Sequence, residues 1–298
     1  MKKIAVLMGG RSSERTVSLA SGTNIAEALK SLGTYEVFAI DLAEENLDAV
    51  PADIDAAYIA LHGGWGENGG VQAALNARKT PYTGPGVQAS QIAMDKAATK
   101  RVLEAKGVPT APWALADADT AESPLPLPVV VKPPCDGSSV GISKVERPEE
   151  WKKALEAAYA VQAKDKSVLV EAFVPGREFT VGVIDGVALP VIEIVAKGGW
   201  YGYDEKYKSD ETRYPFLEGG ELAEKMQKLA VDAYRAVGCR GVTRVDFRVS
   251  PEGACYVLEL NTSPGFTSHS LVPKAGMKTG LTFAGVCERI LASADYDR

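Results

Sequence analysis

The sequence predicts an α/β protein with more than one lobe and a parallel sheet at its N-terminal end. The chain has 298 residues, which exceeds one typical domain. Apolar runs alternate with helix-like segments from Lys3 to Leu61, a pattern typical of parallel strands with right-handed crossovers. Further on, strand-like pieces follow one another over 168–194 and 243–260. This succession predicts additional α+β structure.

The N-terminal strands are predicted to end in glycine-rich turns that face one crevice. A strand over Lys3–Met8 precedes Gly9-Gly10, and a strand over Ala57–Leu61 precedes His62-Gly63-Gly64. Ligands of parallel sheets bind at the carboxyl ends of the strands. The first turn lacks the GxGxxG spacing, which disfavours a dinucleotide site. Glu14 either caps the following helix or holds a cationic ammonium group at the crevice.

Composition and charge disfavour several classes of protein. The net charge of −6 argues against nucleic-acid and anionic-membrane partners. The four cysteines form no CxxC pair and are expected to be reduced. The apolar run Ile4–Met8 is too short for an export signal or a membrane span, so a cytoplasmic protein is expected. With only two histidines in the chain, neither fits a zinc cluster.

A lysine and a loop of small residues predict a phosphate site in the middle of the chain. The turn over 81–86 is a plausible first boundary, and a helix is predicted over Ala89–Lys106. The run Val129–Lys132 reads as a strand, and its loop continues to Gly141. Glycine and hydroxyl residues after a strand suit phosphate oxygens, although a plain surface turn has the same composition.

Two strand-like segments near the C-terminal end predict a metal site. Asp246 and Glu259 lie on strands joined by a turn over 250–253, so they can face each other on a hairpin. Asn261 shares the face of Glu259, and Arg244 shares the face of Asp246, by the two-residue period of a strand. Carboxylate and amide oxygens suit Mg²⁺, while Arg244 could stabilise developing negative charge. A solvated face of an edge hairpin is the alternative.

These segments together resemble the D-alanine–D-alanine ligase family of the ATP-grasp superfamily. The resemblance runs from residue 9 to residue 275 and rests on the following stretches: GGRSSERTVSLASG, LHGGWGENGGVQ, PYTGPGVQAS, MDKAATK, VVVKPPCDGSSVGISKV, EFTVGV, YDEKYKSDET, RVDF and LELNTSPGFTSHSLVPKA. It implies a three-lobed ATP-grasp fold. The expected lobes are an N-terminal parallel-sheet lobe over 1–88 that binds the first substrate, a central lobe over 89–185, and a C-terminal lobe over 186–298 with the lid and the magnesium site.

The resemblance also implies roles for individual residues. The expected ATP contacts are Lys96, Lys132, Ser138, Ser139, Glu171, Ala172, Phe173, Val174, Glu178 and Trp200. The expected ligands of two Mg²⁺ ions, for which Mn²⁺ could substitute, are Asp246, Glu259 and Asn261. The expected catalytic residues are Glu14, Ser138, Tyr207, Arg244 and Gly265. The expected amino-acid contacts are Glu14, His62, Lys206 and Ser270.

In the implied reaction, the carboxylate of one D-alanine attacks the γ-phosphate of ATP, and the amine of a second attacks the acyl phosphate. The segment over 201–216 is the expected lid. Relatives that use D-lactate replace the Lys-Tyr pair of this lid, so Lys206-Tyr207 favours D-alanine. Asn68 stands where the family has aspartate and is expected to alter a local hydrogen bond. The family implies a homodimer.

Two other classes are weaker fits. Another ATP-grasp enzyme, such as a carboxylase half or a ligase using D-serine or D-lactate, would share the nucleotide-binding half of the chain. A carboxylase half would lack the GGRSSE, HGGWGENG and EKY segments, which are present here. A regulator that binds nucleotide without catalysis would have lost Lys132, Arg244, Asp246 or Glu259, and the chain retains all four.

Overall fold

The N-terminal part of the chain folds around a parallel sheet. The computed structural model describes residues 1–133, 135, 141–161, 167–196 and 211–297. Strands β1 (Lys2–Gly9), β2 (Tyr35–Leu42) and β3 (Ala56–Ile59) pair in the order β2-β1-β3, parallel throughout. Helix α1 (Arg15–Ser31) connects β1 to β2, and α2 (Gly70–Ala77) follows β3. The parallel sheet predicted from the sequence is therefore confirmed.

A second sheet is antiparallel and lies in the middle of the chain. Its strands are β4 (Trp113–Ala116), β5 (Val129–Lys132), β6 (Ser143–Val145) and β7 (Val168–Ala172), in the order β4-β7-β5-β6. Helix α5 (Trp151–Tyr159) buries its apolar face against this sheet. Because β5 and β7 are antiparallel, Lys132 at the end of β5 lies opposite Leu169, near the start of β7.

A third sheet is also antiparallel and carries the hairpin predicted to bind metal. It contains β8 (Arg177–Ile184), β9 (Val187–Ala188), β10 (Ile192–Ile194), β11 (Val242–Val249) and β12 (Cys255–Asn261). The main order is β10-β8-β11-β12, and β9 pairs with β8. The central strands are buried on both faces, which fits their nearly continuous apolar sequences.

One segment predicted as a single helix forms two. Helices α3 (Val87–Met94) and α4 (Lys96–Ala105) are separated by Asp95, whose backbone is extended with ψ of 103°. The Asp95 carboxylate accepts a hydrogen bond of 3.0 Å from the N–H of Ala98 and so caps the start of α4. The prediction of one helix was wrong because an aspartate at this position starts a new helix. Together with α6 (Glu221–Val237), α3 and α4 pack on the third sheet.

The N-terminal lobe and the third sheet share one apolar core. Side chains from β1 and α1 pack with the last two helices, α7 (Leu271–Lys278) and α8 (Phe283–Ala292), and with β8. The opposite face of the parallel sheet has its own core with α2. The helices of the described part of the chain include none long and apolar enough to cross a membrane.

The predicted lobe boundaries at residues 88 and 185 remain predictions. Strand β8 lies before residue 186, yet it pairs with β10 and β11 in the third sheet. The region 89–185 therefore contributes to two sheets, and the helices at its start pack on the third.

Candidate active site

Two glycine-containing turns at the ends of β1 and β3 lie against each other. The Ser12 hydroxyl donates a hydrogen bond of 2.6 Å to the carbonyl of His62 and joins the two turns. A Cβ on Gly63, whose φ is +63°, would come within 3.0 Å of Glu14 Oε2 and 3.1 Å of Ser12 Cβ. A glycine is therefore needed for the Glu14 carboxylate to approach this backbone.

Glu14 precedes α1, but its carboxylate does not cap that helix. Its backbone N–H donates to the Ser12 hydroxyl at 3.2 Å. The Glu14 side chain accepts no hydrogen bond from the N–H groups in the first turn of α1, all of which the structure describes. Of the two roles considered for Glu14, capping is not realised. A half-buried carboxylate beside the Gly63 turn suits a ligand ammonium group.

His62 connects the end of the parallel sheet to the loop that follows β12. The imidazole is buried, with Nδ1 2.9 Å from the carbonyl oxygen of Ser263 and Nε2 3.3 Å from Ser21 Oγ. A carbonyl can only accept, so Nδ1 carries a proton and donates to Ser263, while Nε2 contacts the Ser21 hydroxyl. The Ser21 hydroxyl in turn accepts a hydrogen bond of 2.9 Å from the N–H of Phe266. These bonds fix the loop beside the Glu14 turn.

Gly265 and Ser270 are neighbours within this loop. A Cβ on Gly265 would lie 2.9 Å from Ser270 Oγ and 3.8 Å from Ser21 Oγ. Ser270 stands directly before α7, and its hydroxyl accepts a hydrogen bond of 2.9 Å from the N–H of Thr267. The loop therefore brings a glycine backbone and a serine hydroxyl next to the network around His62.

The hairpin of β11 and β12 has the predicted register. Asp246 lies opposite Glu259, and Arg244 lies opposite Asn261. Arg244 contacts both oxygens of Asp246, with Nε 2.9 Å from Oδ1 and Nη2 2.7 Å from Oδ2. On the neighbouring strand, Thr180 donates to Asp246 Oδ1 at 2.7 Å. Asp246 is 6% exposed, and its carboxylate is held by Arg244 and Thr180.

The remaining side chains of the hairpin reach toward α4 and toward the following loop. The Lys96 ammonium lies 3.3 Å from Glu259 Oε2. The Asn261 Oδ1 atom accepts a hydrogen bond of 3.0 Å from the N–H of Ser263. Glu259 is partly exposed, whereas Lys96 is buried. One side of the hairpin therefore collects two carboxylates, an amide oxygen, a guanidinium and an ammonium.

A buried cluster of three charges lies where the second sheet approaches α4. The Glu171 carboxylate contacts Lys100 through Oε1 and Lys132 through Oε2. Burial alone would raise the pKa of Glu171, but the ammonium groups of Lys132 and Lys100 outweigh it and hold that pKa below its ordinary value. Burial lowers the pKa of Lys100. Glu171 outweighs burial at Lys132 and raises the pKa of that group.

The residues after β7 contact two cations from neighbouring strands. The Arg248 guanidinium donates to the Val174 carbonyl at 3.2 Å and lies 3.4 Å from Glu178 Oε2. The Phe173 ring has Lys144 Nζ 4.1 Å from its centroid and Arg248 Cζ 5.4 Å from it. Ala172 ends β7 opposite Val129 of β5. The predicted adenine hinge thus lies at the junction of the second and third sheets.

Comparison with known proteins gives the family of the chain. A family model described as "D-ala D-ala ligase C-terminus" matches residues 102–292. A D-alanine–D-alanine ligase of Bordetella avium (strain 197N) is 46% identical over 304 residues, which cover 98% of this chain and 94% of that protein. This chain belongs to the D-alanine–D-alanine ligase family.

Solved members of the D-alanine–D-alanine ligase family and a related ligase share the fold. The ligase of Bacillus anthracis, solved in complex with ATP, has a TM-score of 0.85 at 32% identity and covers 98% of this chain and 97% of its own. The VanG D-Ala:D-Ser ligase of Enterococcus faecalis has the same TM-score at 27% identity, with 98% of each chain covered. The predicted ATP-grasp fold is confirmed.

Several residues that the family resemblance pointed to lie outside the described part of the chain. These are Ser138, Ser139, Trp200, Lys206 and Tyr207. Of the predicted lid over 201–216, the structure describes 211–216. The other predicted site residues fall into two groups, one around the turns of the N-terminal lobe and the loop after β12, the other around the hairpin and the buried charges. The roles assigned to all of them stay predictions.

The contact residues of this site that were not identified from the sequence include Thr180, Lys100, Lys144 and Arg248. Arg248 continues the two-residue period of Arg244 and Asp246, and this signal could have identified it. Lys100 follows Lys96 by four residues, which puts both on one helix face. The sequence gives no such signal for Thr180, which reaches Asp246 through strand pairing between residues 66 positions apart.

The hairpin has a donor set that suits magnesium. Asp246 and Glu259 are in register, and Asn261 adds an amide oxygen two residues after Glu259. Such oxygens are the hard ligands that Mg²⁺ prefers, together with phosphate oxygens. Over the described residues, groups of three or more His, Cys, Asp or Glu side chains that could hold a metal are absent. The fit therefore depends on the asparagine and on oxygens from the nucleotide.

Proposed function

We propose that this protein uses ATP to join two molecules of D-alanine into D-alanyl-D-alanine, for the synthesis of peptidoglycan precursors. The observation that carries the proposal is the β11–β12 hairpin, where Asp246 faces Glu259 beside Arg244 and Lys96, in a chain of this ligase family. An acyl-phosphate route needs charge neutralisation around transferred phosphate more than covalent chemistry by the protein. The cations Arg244 and Lys96, together with the Mg²⁺ that the two carboxylates would bind, would supply that neutralisation.

The first half of the proposed reaction forms D-alanyl phosphate. The substrate carboxylate oxygen attacks the γ-phosphorus, and the bond from phosphorus to the bridging β–γ oxygen breaks to release ADP. Lys96 and Lys132 contact the nucleotide phosphates, and Asp246, Glu259 and Asn261 would hold two Mg²⁺ ions. When bound, these ions neutralise phosphate charge. Glu14 holds the ammonium of this first D-alanine, while His62, fixed by Ser21 and Ser263, orders it.

The second half of the proposed reaction forms the peptide bond. The amine of the second D-alanine attacks the acyl carbon, the bond from that carbon to the phosphate oxygen breaks, and the proton lost by the amine passes to the leaving phosphate. Arg244 and the N–H of Gly265 stabilise the tetrahedral oxyanion. Ser270, with Lys206, takes the carboxylate of the second substrate, and Ser138 and Tyr207 link to Glu14.

The nucleotide is proposed to lie between the second and third sheets. The hinge residues Glu171 to Val174 contact the adenine, and Glu178 contacts the ribose. Phe173 and Glu178 already share contacts with Arg248, which supports one continuous wall at this place. Further contacts are assigned to Ser138, Ser139 and Trp200. The segment over 201–216 closes over the site and keeps water from the acyl phosphate.

The proposal is tested by turnover of the purified protein. Phosphate release from Mg-ATP is measured with D-alanine, L-alanine, D-serine or D-lactate, and the products are separated by chromatography. Turnover with D-alanine alone that yields the dipeptide is expected. A requirement for D-serine or D-lactate beside D-alanine would contradict the assignment of the second substrate. ATP binding without turnover on any substrate would contradict the ligase and favour a regulator.

Further proposals concern the ion, the assembly and the location of the protein. We expect two Mg²⁺ ions, replaceable by Mn²⁺, and neither nucleic acid nor membrane as partner. We also propose a homodimer in the cytoplasm. Light scattering coupled to size-exclusion chromatography gives the mass directly, and a mass near 31.6 kDa would contradict the dimer.

A further inference from the structure

Helix α4 presents two lysines on one face, and they reach different sheets. Lys96 and Lys100 are four residues apart, so their side chains lie on the same side of the helix. Lys96 lies 3.3 Å from Glu259 on β12 of the third sheet. Lys100 contacts Glu171 on β7 of the second sheet. One helix face thus spans the two walls between which the nucleotide is proposed to bind.

Lys100 is also linked to the strand that carries Glu259. Its ammonium donates a hydrogen bond of 2.6 Å to Thr110 Oγ1, and that hydroxyl donates at 2.8 Å to the carbonyl of Val257. The N–H of Val257 donates to the Pro109 carbonyl at 2.9 Å. A continuous chain of polar contacts therefore runs from the hinge carboxylate through Lys100 to β12, two residues before Glu259.

The buried cluster divides the two oxygens of Glu171 between two lysines. Lys100 contacts Oε1 and Lys132 contacts Oε2, and the side chain of Lys100 is 0% exposed. Two ammonium groups and one carboxylate leave a net positive charge at the end of β5. Without Lys100, the Glu171 carboxylate would have Lys132 as its main counter-charge, and the pair would be neutral. A neutral pair attracts a polyphosphate less strongly than a cationic cluster does.

We propose that Lys100 is a positioning residue for ATP: it fixes Glu171 and offsets its charge, so that Lys132 keeps its positive charge for the nucleotide. The proposal rests on the proposed function only in that the nucleotide binds between the second and third sheets. Lys100 itself does not touch substrate; it acts through Glu171, Lys132 and Thr110.

A purely structural role for Lys100 makes a different prediction. Buried ion pairs often contribute little net stability, and removal of one partner destabilises the fold without a specific effect on a ligand. Loss of Lys100 would then lower the melting temperature and the active fraction, with an unchanged affinity of the folded fraction for ATP. A positioning role instead weakens ATP binding and leaves the KM for D-alanine unchanged.

The deciding experiment is calorimetric titration of Lys100→Met with Mg-ATP, without amino acid, next to steady-state kinetics and thermal melts. We expect the Kd for Mg-ATP to rise about tenfold or more, since one positive charge is removed from the buried cluster that contains Lys132. The KM for D-alanine should change less than about twofold, because Lys100 lies outside the amino-acid site. Lys106→Met, which removes an exposed lysine at the end of the same helix, serves as the control and should bind like wild type.

Two further variants keep the test decisive if Lys100→Met does not fold. Lys100→Arg keeps the cation and should restore most of the affinity. Thr110→Val leaves Lys100 beside Glu171 but removes the hydroxyl link to Val257, and a smaller rise in Kd of about threefold is expected. A folded Lys100→Met protein with wild-type Kd, or an unchanged Kd in Thr110→Val when Lys100→Met cannot be made, would overturn the proposal.

Failure of this inference can be told from failure of the ligase proposal. If wild-type protein binds Mg-ATP but makes no dipeptide, the ligase proposal fails while the Kd values still decide the role of Lys100. If wild type makes dipeptide and Lys100→Met binds ATP normally, only the role of Lys100 is lost. If wild type binds no Mg-ATP, both fail.

Discussion

At the scale of single residues, each proposed metal carboxylate has a cation beside it. Asp246 is held by Arg244, and Glu259 lies near Lys96. A charge removed from such a pair leaves its partner without compensation, and the cost depends on how deeply that partner is buried. Glu259 is partly exposed, whereas Glu171 is almost fully buried between two lysines. The two glutamates therefore lead to different predictions, one for activity and one for stability.

Glu259→Gln is expected to abolish turnover without unfolding the protein. The amide keeps the shape of the side chain but loses the negative charge that a magnesium ligand supplies, so kcat should fall about 100-fold or more. Phosphate release and a thermal melt measure the two properties. Glu252→Gln, in the exposed turn of the same hairpin, is the control and should keep wild-type activity. Near-normal turnover in Glu259→Gln would remove Glu259 from the metal site.

Glu171→Gln is expected to lower stability strongly at neutral pH. It leaves two buried ammonium groups without their carboxylate, which costs about 3–5 kcal/mol of unfolding free energy. The folded pKa of Glu171 is lowered from its ordinary value of 4.5. The stabilisation by its charged carboxylate is therefore fully present above pH 4.5 and is lost as the pH falls through the folded pKa. The stability difference from wild type should therefore shrink on going from pH 7 to below the folded pKa. Urea unfolding at neutral and acid pH measures this difference, and a constant difference would contradict the prediction. Glu146→Gln removes an exposed partner of Lys144 and should change stability little.

At the scale of elements, the break between α3 and α4 positions two lysines of the site. Asp95 ends one helix and caps the next, so Lys96 stands at the first turn of α4 and Lys100 one turn later. Asp95→Ala removes the cap and should cost about 1 kcal/mol of stability. We also expect weaker ATP binding, because the first turn carries Lys96. Chemical unfolding and titration with Mg-ATP measure both effects.

Asp95→Asn is the matched variant for this cap. Asparagine is an equally good N-cap residue, so this variant should retain the stability that alanine loses. Equal losses in the two variants would show that the charge of Asp95, and not its hydrogen bond to Ala98, matters for α4.

The hairpin and the helix break differ in how well the sequence predicts them. The register of Asp246 and Glu259 follows from two apolar strands joined by a short turn, since side-chain direction in a strand has a period of two. The apolar period continues across Asp95, so periodicity alone predicts one helix there. Lys100 is buried against a carboxylate of another sheet, which no local pattern reveals because lysines on helices are mostly exposed. The strand register was predictable from the local pattern, whereas the helix break and the tertiary compensation of charge were not.

At the scale of the whole molecule, the site is assembled from parts distant in the chain. His62 contacts the carbonyl of Ser263, 201 residues later, and Asn24 donates to the carbonyl of Phe266, 242 residues later. The Phe266 ring packs edge-on against Tyr58, with 6.2 Å between centroids. The sequence predicts a turn at His62, a helix around Asn24, a strand around Tyr58 and a loop around Ser263 and Phe266, but the meeting of these segments depends on the packing of the lobes. The family resemblance, and not periodicity, linked them.

The C-terminal segment connects the N-terminal lobe to the start of α3. The Asp297 carboxylate accepts hydrogen bonds from the N–H of Val87 at 2.8 Å and from Asn76 at 3.1 Å, and Arg240 lies 3.7 Å from it. Burial would raise the pKa of Asp297, but these donors outweigh it and lower that pKa. Asp297→Ala should therefore cost about 1–2 kcal/mol in urea unfolding, because partly exposed bonds contribute modestly. Asp297→Asn keeps an acceptor for Val87 and should lose less than half as much. Equal stability of wild type and Asp297→Ala would show that the contacts of Asp297 with the N-terminal lobe do not stabilise the fold.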